Sequence, residues 1–253
     1  MEIIAHRGAS HEAPENTLAA VQLGWDQGAD AVEVDVQLSA DGRLVVIHDE
    51  NTCKTAGLNR SVAHQTLAEL RRLDAGSWKG SRWKNERIPT LEEVIDAVPS
   101  GKRLFVEIKC PASCVSEFVR VFQASGKKPS TVVPIGFSRE TMQLVKSALP
   151  KLEVCQVVKF QRSWRTGRWT PRPADVMRHI LESGLNGLDC GANGSICADF
   201  VNRAHEAGLR FYLWTVDTAE AARRFQDCGV DGLTTNRPQW IREQLEKKDR
   251  RSI

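Results

Sequence analysis

Apolar and polar positions alternate most clearly in Ala31–Asp49, AVEVDVQLSADGRLVVIHD. Val32, Val34 and Val36 fall on one face of a strand, and Glu33 and Asp35 fall on the other, because strand side chains alternate with a period of two. After Leu38, Ser-Ala-Asp-Gly leads into the apolar run Leu44–Ile47, which ends in His48-Asp49. A parallel crossover needs a dozen or more residues, so this connection predicts an antiparallel hairpin arm turned by Asp41-Gly42. The fold-back carries His48 toward the acidic end of the first strand.

Elsewhere the pattern is helical stripe, glycine, short strand. A first strand, Glu2–His6, leads through a loop to a helix over Asn16–Gln27, with Asn16 as N-cap and Leu18, Val21 and Trp25 as its buried stripe. Helices over 116–125, 174–183, 198–207 and 218–228 each meet a glycine and then a strand. Glycine just past a helix end supplies the left-handed cap. Strands are predicted at 2–6, 31–38, 103–109, 132–137, 154–158, 187–190, 211–216 and 232–235. Helices alternating with strands argue for a parallel sheet, and eight such strands suggest a (β/α)8 TIM barrel, an α/β fold, with an open doubly wound sheet as the alternative. Neither GxGxxG nor GxxxxGK[ST] follows the first strand, which weakens a nucleotide-binding reading. Residues 50–99 interrupt the rhythm. They read as a small inserted subdomain at the catalytic mouth, with short helices near 66–73 and 91–97, within one barrel domain spanning 1–253.

At 253 residues the chain is long enough for a substantial core, and its formal charge of +3 is too small to argue for nucleic acid. Seven scattered cysteines without a CxxC pair indicate neither a zinc site nor a disulfide framework, and favour a reducing compartment. No leader-like segment or bilayer-length apolar run occurs, so a soluble, cytoplasmic protein without stable membrane insertion is expected, either monomeric or homodimeric.

The strand LFVEIK, Leu104–Lys109, repeats the logic of the first, with Glu107 and Lys109 sharing a face. In a barrel the carboxyl ends of the strands form the active site. His6 with Arg7, Glu33 with Asp35, and Glu107 with Lys109 then converge, joined by His48. Three carboxylates are costly together unless a cation lies between them, and a hard divalent ion is the expected answer. Arg7 and Lys109 suit phosphate, and two histidines can take and give a proton near neutrality. That equipment points to phosphodiester cleavage. The stretch Gln161–Pro173, QRSWRTGRWTPRP, is basic, aromatic and free of acid. It reads first as a mobile solvated loop, with substrate steering or docking on a phospholipid surface as its functional readings. The terminal Lys-Lys-Asp-Arg-Arg reads as a frayed helix end.

In order along the chain, Ala-His-Arg-Gly at 5–8, Pro-Glu-Asn-Thr at 14–17, Glu-Val-Asp-Val at 33–36, His-Asp at 48–49, Ile-Pro-Thr-Leu-Glu-Glu at 88–93, Glu-Ile-Lys at 107–109 and Trp-Thr-Val at 214–216 resemble the glycerophosphodiester phosphodiesterases, which are TIM barrels. The resemblance implies hydrolysis of a small-molecule glycerophosphodiester to sn-glycerol 3-phosphate and an alcohol. It implies His6 and His48 as general base (or nucleophile) and general acid. It further implies Glu33, Asp35 and Glu107 as ligands of one Mg²⁺ or Ca²⁺, with Mn²⁺ admitted, and Arg7 and Lys109 as phosphate holders. Phe137 and Trp214 are the candidates for lining the pocket around the glycerol carbons. Asp217 stands where the pattern usually has Asn, and Asn236 where it often has Asp. Two alternatives remain at this point: a related phospholipase D-like barrel acting on lysophospholipids, and a barrel that binds phosphodiesters without turnover.

Overall fold

The computed structural model describes residues 1–249. Its strands are β1 (Glu2–His6), β2 (Ala31–Leu38), β3 (Leu44–Val46), β4 (Arg103–Ile108), β5 (Val132–Gly136), β6 (Cys155–Val158), β7 (Gln161–Arg162), β8 (Trp169–Thr170), β9 (Gly187–Gly191), β10 (Arg210–Trp214) and β11 (Gly232–Thr235). The α-helices are α1 (Leu18–Asp26), α2 (Cys53–Ala56), α3 (Leu67–Leu70), α4 (Leu91–Asp96), α5 (Val115–Ala124), α6 (Arg139–Ala148), α7 (Pro173–Glu182), α8 (Ala198–Glu206), α9 (Ala219–Asp227) and α10 (Pro238–Asp249). Eight parallel strands follow one another around a ring in the order β1-β11-β10-β9-β6-β5-β4-β2, and pairing of β1 with β2 closes it. The sheet is therefore the TIM barrel that the alternation predicts, and the open doubly wound alternative is excluded.

Strand alternation divides the core in two. Val32, Val34, Val36, Leu104, Val106 and Leu188 face outward and pack under the helices. Ile4, Ala31, Phe105, Val133, Ile135, Cys155, Val157 and Tyr212 fill the barrel interior. The amino end of the barrel is closed by charge. The Arg103 guanidinium donates to Glu2 at 2.9 Å and to Glu153 at 2.8 Å, and the Tyr212 hydroxyl donates to Glu153 at 2.7 Å. Removing the cation would leave two carboxylates facing each other in a largely desolvated ring. Arg103→Ala is therefore expected to destabilise the fold by about 3 kcal/mol, read as a lower urea midpoint with unchanged kcat.

Several predicted elements shift. Thr17, not Asn16, caps α1, accepting from the Ala20 N–H at 3.2 Å. Asn16 sits at φ +60°, outside the helix, and its side chain is spent on β2 instead. The buried face of α1 is Ala20, Val21, Gly24 and Trp25, whereas Leu18 is exposed. Gly24 lets α1 approach the barrel closely: a Cβ there would lie 3.1 Å from the side chains of Ala5 and Val32. Helices α2 and α6 are additional. Helix α6 ends at Leu149 before Pro150, without the glycine that marks its neighbours.

Between β3 and β4, residues 50–99 carry α2, α3, α4 and three short 3₁₀ turns. Val62, Leu70, Ala75 and Ile88 pack there against Val45 and Ile47 of the hairpin arm, away from the main core. The basic stretch after β6 is a two-stranded hairpin, β7 paired with β8, not an irregular loop. Its turn is held by the Ser163 and Gly167 N–H groups donating to Arg168 and Ser163 carbonyls, and Trp169 packs partly on the core. The terminal Lys-Lys-Asp-Arg-Arg enters α10 and, past Asp249, lies outside the described residues. Among the described residues no helix is long and apolar enough to cross a membrane.

Candidate active site

Strand β2 sets the site. Glu33 and Asp35 turn inward because the valines between them turn outward into the core. The register pairs His6 of β1 with Glu33, and Glu107 of β4 with Asp35, so three strand ends bring their polar side chains together. Oxygens of Glu33, Asp35 and Glu107 all lie within 4.8 Å of one another. The hairpin arm folds back as its short connection demands: Val46 pairs with Val36, and the Ile47 N–H donates to the Asp35 carbonyl at 3.0 Å. Gln37, the next inward residue on β2, donates to the His48 carbonyl at 3.3 Å.

The carboxylates are held by a cage of cations and amides. The Arg7 backbone N–H donates to Glu33 at 2.9 Å, from a backbone at φ +55°. The Arg7 guanidinium lies 2.8 Å from Glu15 and 3.1 Å from Asp35, and Lys54 adds a 3.0 Å contact to Glu15. Lys109 lies 3.0 Å from Glu107 and 3.5 Å from Asp35. Asn16 clamps Asp35 from both ends: its amide donates to Asp35 Oδ2 at 2.9 Å and its carbonyl accepts the Asp35 N–H at 3.1 Å. The turn after Arg7 needs Gly8, at φ +80°, because a Cβ there would stand 2.3 Å from the Ala20 backbone.

Electrostatics divide the three acids. Burial and the neighbouring Asp35 and Glu107 push Glu33 well above the ordinary glutamate range. Burial and Asp35 raise Glu107, with Lys109 pulling the other way. Burial also opposes the charge on Asp35, but Arg7, His48, Lys109 and Asn16 outweigh it and hold that carboxyl below its usual range. The protein's own cations thus stabilise one charge of the three fully. Asp35 Oδ1, buried, has no hydrogen-bond partner. Three hard oxygen donors, of which two resist ionisation and the third keeps a buried oxygen whose nearest cation is Lys109 at 3.5 Å, fit a divalent cation.

Each histidine has a different partner. His6 Nδ1 lies 2.8 Å from Asn236 Oδ1, which also accepts from the Ser10 hydroxyl at 2.7 Å. Asp217 fixes which way Asn236 points. It accepts from the Asn236 amide at 2.5 Å and from the Asn236 backbone N–H at 2.8 Å. Asn236 therefore presents oxygen to His6, which places the ring proton on Nδ1 and leaves Nε2 as an acceptor. Burial and Arg7 lower the His6 pKa below its ordinary 6.5. His48 Nδ1 lies 2.6 Å from Asp49 Oδ1, so a carboxylate accepts from that ring. The two positions that depart from the usual pattern, Asp217 and Asn236, are thus in contact with each other.

His6, Arg7, Glu33, His48, Glu107, Lys109, Phe137 and Trp214 line one cavity of about 120 Å³ inside the strand ends. Asp35 lies behind it, bridged by Arg7 and Lys109. A wider cleft of about 520 Å³ adjoins it and shares His48, Glu107, Lys109 and Phe137. The Trp214 indole N–H donates to the Asp189 carbonyl at 3.2 Å, and its ring meets Phe137 edge-on at 6.0 Å. Asn16, Asp49, Glu15, Asp189 and the Asp217–Asn236 pair belong to this constellation but were not among the residues predicted for it. Asn16 stood in a recognised motif, yet an Asn before a helix reads equally as a cap.

The glycerophosphoryl diester phosphodiesterase family model matches residues 6–240. The Bacillus subtilis (strain 168) protein YhdW is 35% identical over 245 residues, which cover 95% of this chain and 96% of that one. A glycerophosphodiester phosphodiesterase of Caldanaerobacter subterraneus subsp. tengcongensis is 30% identical, covering 94% of this chain and 95% of its own. An Oleispira antarctica phosphodiesterase, solved with the product sn-glycerol 3-phosphate, superposes with a TM-score of 0.85 over 97% of both chains at 28% identity. With the match running from the first site residue to beyond the last, this chain is an enzyme that belongs to the glycerophosphoryl diester phosphodiesterase family.

Proposed function

We propose that the protein hydrolyses glycerophosphodiesters to sn-glycerol 3-phosphate and an alcohol, with His6 as general base and His48 as general acid. The observation that carries this reading is the asymmetry behind the two rings. A neutral amide, oriented by Asp217, stands behind His6 and leaves Nε2 free to take a proton from the attacking hydroxyl. A carboxylate stands behind His48, which suits the imidazolium that must protonate the leaving alcohol. His48 also borders the wider cleft, where a leaving headgroup has room.

Glu33, Asp35 and Glu107 would hold one divalent cation, Mg²⁺, Ca²⁺ or Mn²⁺, which when bound supplies charge for the phosphoryl oxygens. Arg7 and Lys109 face the same cavity and add positive charge for the phosphate, Arg7 as a planar fork and Lys109 as a point charge. The indole of Trp214 and the half-exposed ring of Phe137 offer an apolar wall to the glycerol carbons. The wider cleft has a mixed wall, with His48, Asp49 and Lys109 beside Ile108, Cys110 and Phe137.

The direct test is a coupled assay for sn-glycerol 3-phosphate released from glycerophosphocholine, first in EDTA and then with each cation restored. Metal-dependent release supports the reading. Binding of the substrate without release, by folded protein, would replace it with the non-catalytic alternative. The pH profile adds a check with a definite sign. A base must be unprotonated, and burial and Arg7 lower the His6 pKa, so the acid limb of kcat/KM is expected below the ordinary histidine range. A limb above pH 7 would remove His6 from the base role.

A further inference from the structure

The inner cavity contains a carboxyl that the scheme above does not use. Leu188 and Cys190 of β9 face outward into the core under the helices, so Asp189 between them faces inward. It is 3% exposed, it borders the 120 Å³ cavity with His6, Glu107 and Trp214, and its Oδ1 has no hydrogen-bond partner. The neighbours in register with it do not supply one. Val157 of β6 is apolar, and the Tyr212 hydroxyl of β10 is committed to Glu153. Trp214 donates to the backbone carbonyl of Asp189, which anchors the strand and leaves the carboxyl unserved. Burial, with Glu107 adding to it, pushes this carboxyl well above the ordinary aspartate range. A buried polar oxygen is normally paired, and this one opens onto the space a substrate has to enter.

Position in the ring says which part of a substrate it meets. Following the closed order of the barrel, β9 lies four strands from β2 in either direction, directly across from Glu33 and Asp35. A phosphate held near β1, β2 and β4 keeps the adjacent C2 hydroxyl on that side. From there the far end of a three-carbon skeleton would point into the cavity, whose wall includes Ile135, Val157, Trp214 and Asp189 of β9. We propose that Asp189 hydrogen-bonds the terminal hydroxyl of the glycerol and makes the enzyme selective for phosphodiesters that carry it. This rests on the phosphodiesterase reading. A site built to bond a hydroxyl rejects the analogue lacking it, because the buried group is then left unpaired.

The experiment compares kcat/KM for glycerophosphocholine with that for its 1-deoxy analogue, the phosphocholine diester of 1,2-propanediol esterified at the primary carbon, which keeps the C2 hydroxyl. Wild type is expected to favour glycerophosphocholine by roughly 10²-fold, the cost of leaving one buried polar group unpaired. Asp189→Leu, near in volume and apolar, is expected to bring that ratio close to one. Asp189→Asn, which keeps a donor and an acceptor, is expected to retain most of it. Binding of sn-glycerol 3-phosphate against 1,2-propanediol 1-phosphate, by calorimetry, should change in the same sense and needs no turnover. An Asp189→Leu protein that loses both substrates equally would make the residue structural and overturn the proposal, as would a wild type that does not discriminate. A wild type that cleaves neither diester, yet binds the glycerol ligand more tightly, would overturn the hydrolytic reading and leave Asp189 in place.

Discussion

Replacing His6 with alanine is expected to lower kcat by about 10³-fold while leaving thermal unfolding close to wild type, the size that loss of a positioned general base carries. His6 sits at the carboxyl end of β1, facing the site cavity, with one ring nitrogen committed to Asn236, so its truncation removes one internal hydrogen bond. His48→Ala is expected to cost a similar factor on glycerophosphocholine, and the two losses can be told apart. A substrate with a p-nitrophenoxide leaving group needs no proton on departure. It should recover most of its rate in His48→Ala and little of it in His6→Ala. Equal recovery in both variants would mean that the acid and base are assigned wrongly. Full activity in either, with an unchanged fold, would take that residue out of the chemistry.

The barrel was legible because its signal is periodic. Five of the eight strands follow a glycine-stopped helix, and each strand buries one face under the helices and one inside the ring, so valine runs and carboxylates alternate visibly. Helix α6 escaped because Pro150 ends it instead of a glycine. The clustering of Glu33, Asp35, Glu107 and Lys109 was legible for the same reason: they interrupt apolar strands where an unpaired charge would be costly. Their supporting partners were not. Asn16, Asp49 and Asn236 lie in loops or just past strand ends, where polar side chains are ordinary and only the fold shows what they touch. Asp189 is the instructive exception. It interrupts the apolar run Gly187–Cys190 as Glu33 interrupts its own strand, but it stands alone, and one carboxylate on a short strand carries no pattern. The Asp217–Asn236 pair needed three dimensions as well, since its members are 19 residues apart and meet only because β10 and β11 are adjacent.

Glu33→Gln is expected to separate the two things the acidic cluster does. Glu33 is buried among like charges, and its pKa is raised, so in the metal-free protein the ionised form is disfavoured. The sign follows: a raised carboxyl opposes folding above its unfolded pKa, increasingly so up to its folded one. An isosteric amide removes that penalty, and its oxygen can still accept the Arg7 N–H that Glu33 accepts at 2.9 Å. Metal-free Glu33→Gln should therefore unfold at a higher temperature than metal-free wild type at pH 8. Adding Mg²⁺ or Mn²⁺ should reverse the order. A ligand at 100 times its Kd stabilises the native state by about 2.7 kcal/mol, and loss of one of three carboxylate ligands is expected to weaken binding by roughly 10²-fold or more, so wild type gains this increment while the variant gains almost none. Asp35→Asn should behave differently, because Arg7 and Asn16 already stabilise that charge: it should lower stability with and without metal. Equal responses to metal in wild type and Glu33→Gln would mean that the three carboxylates do not form the cation site, and that Arg7 and Lys109 alone balance their charge.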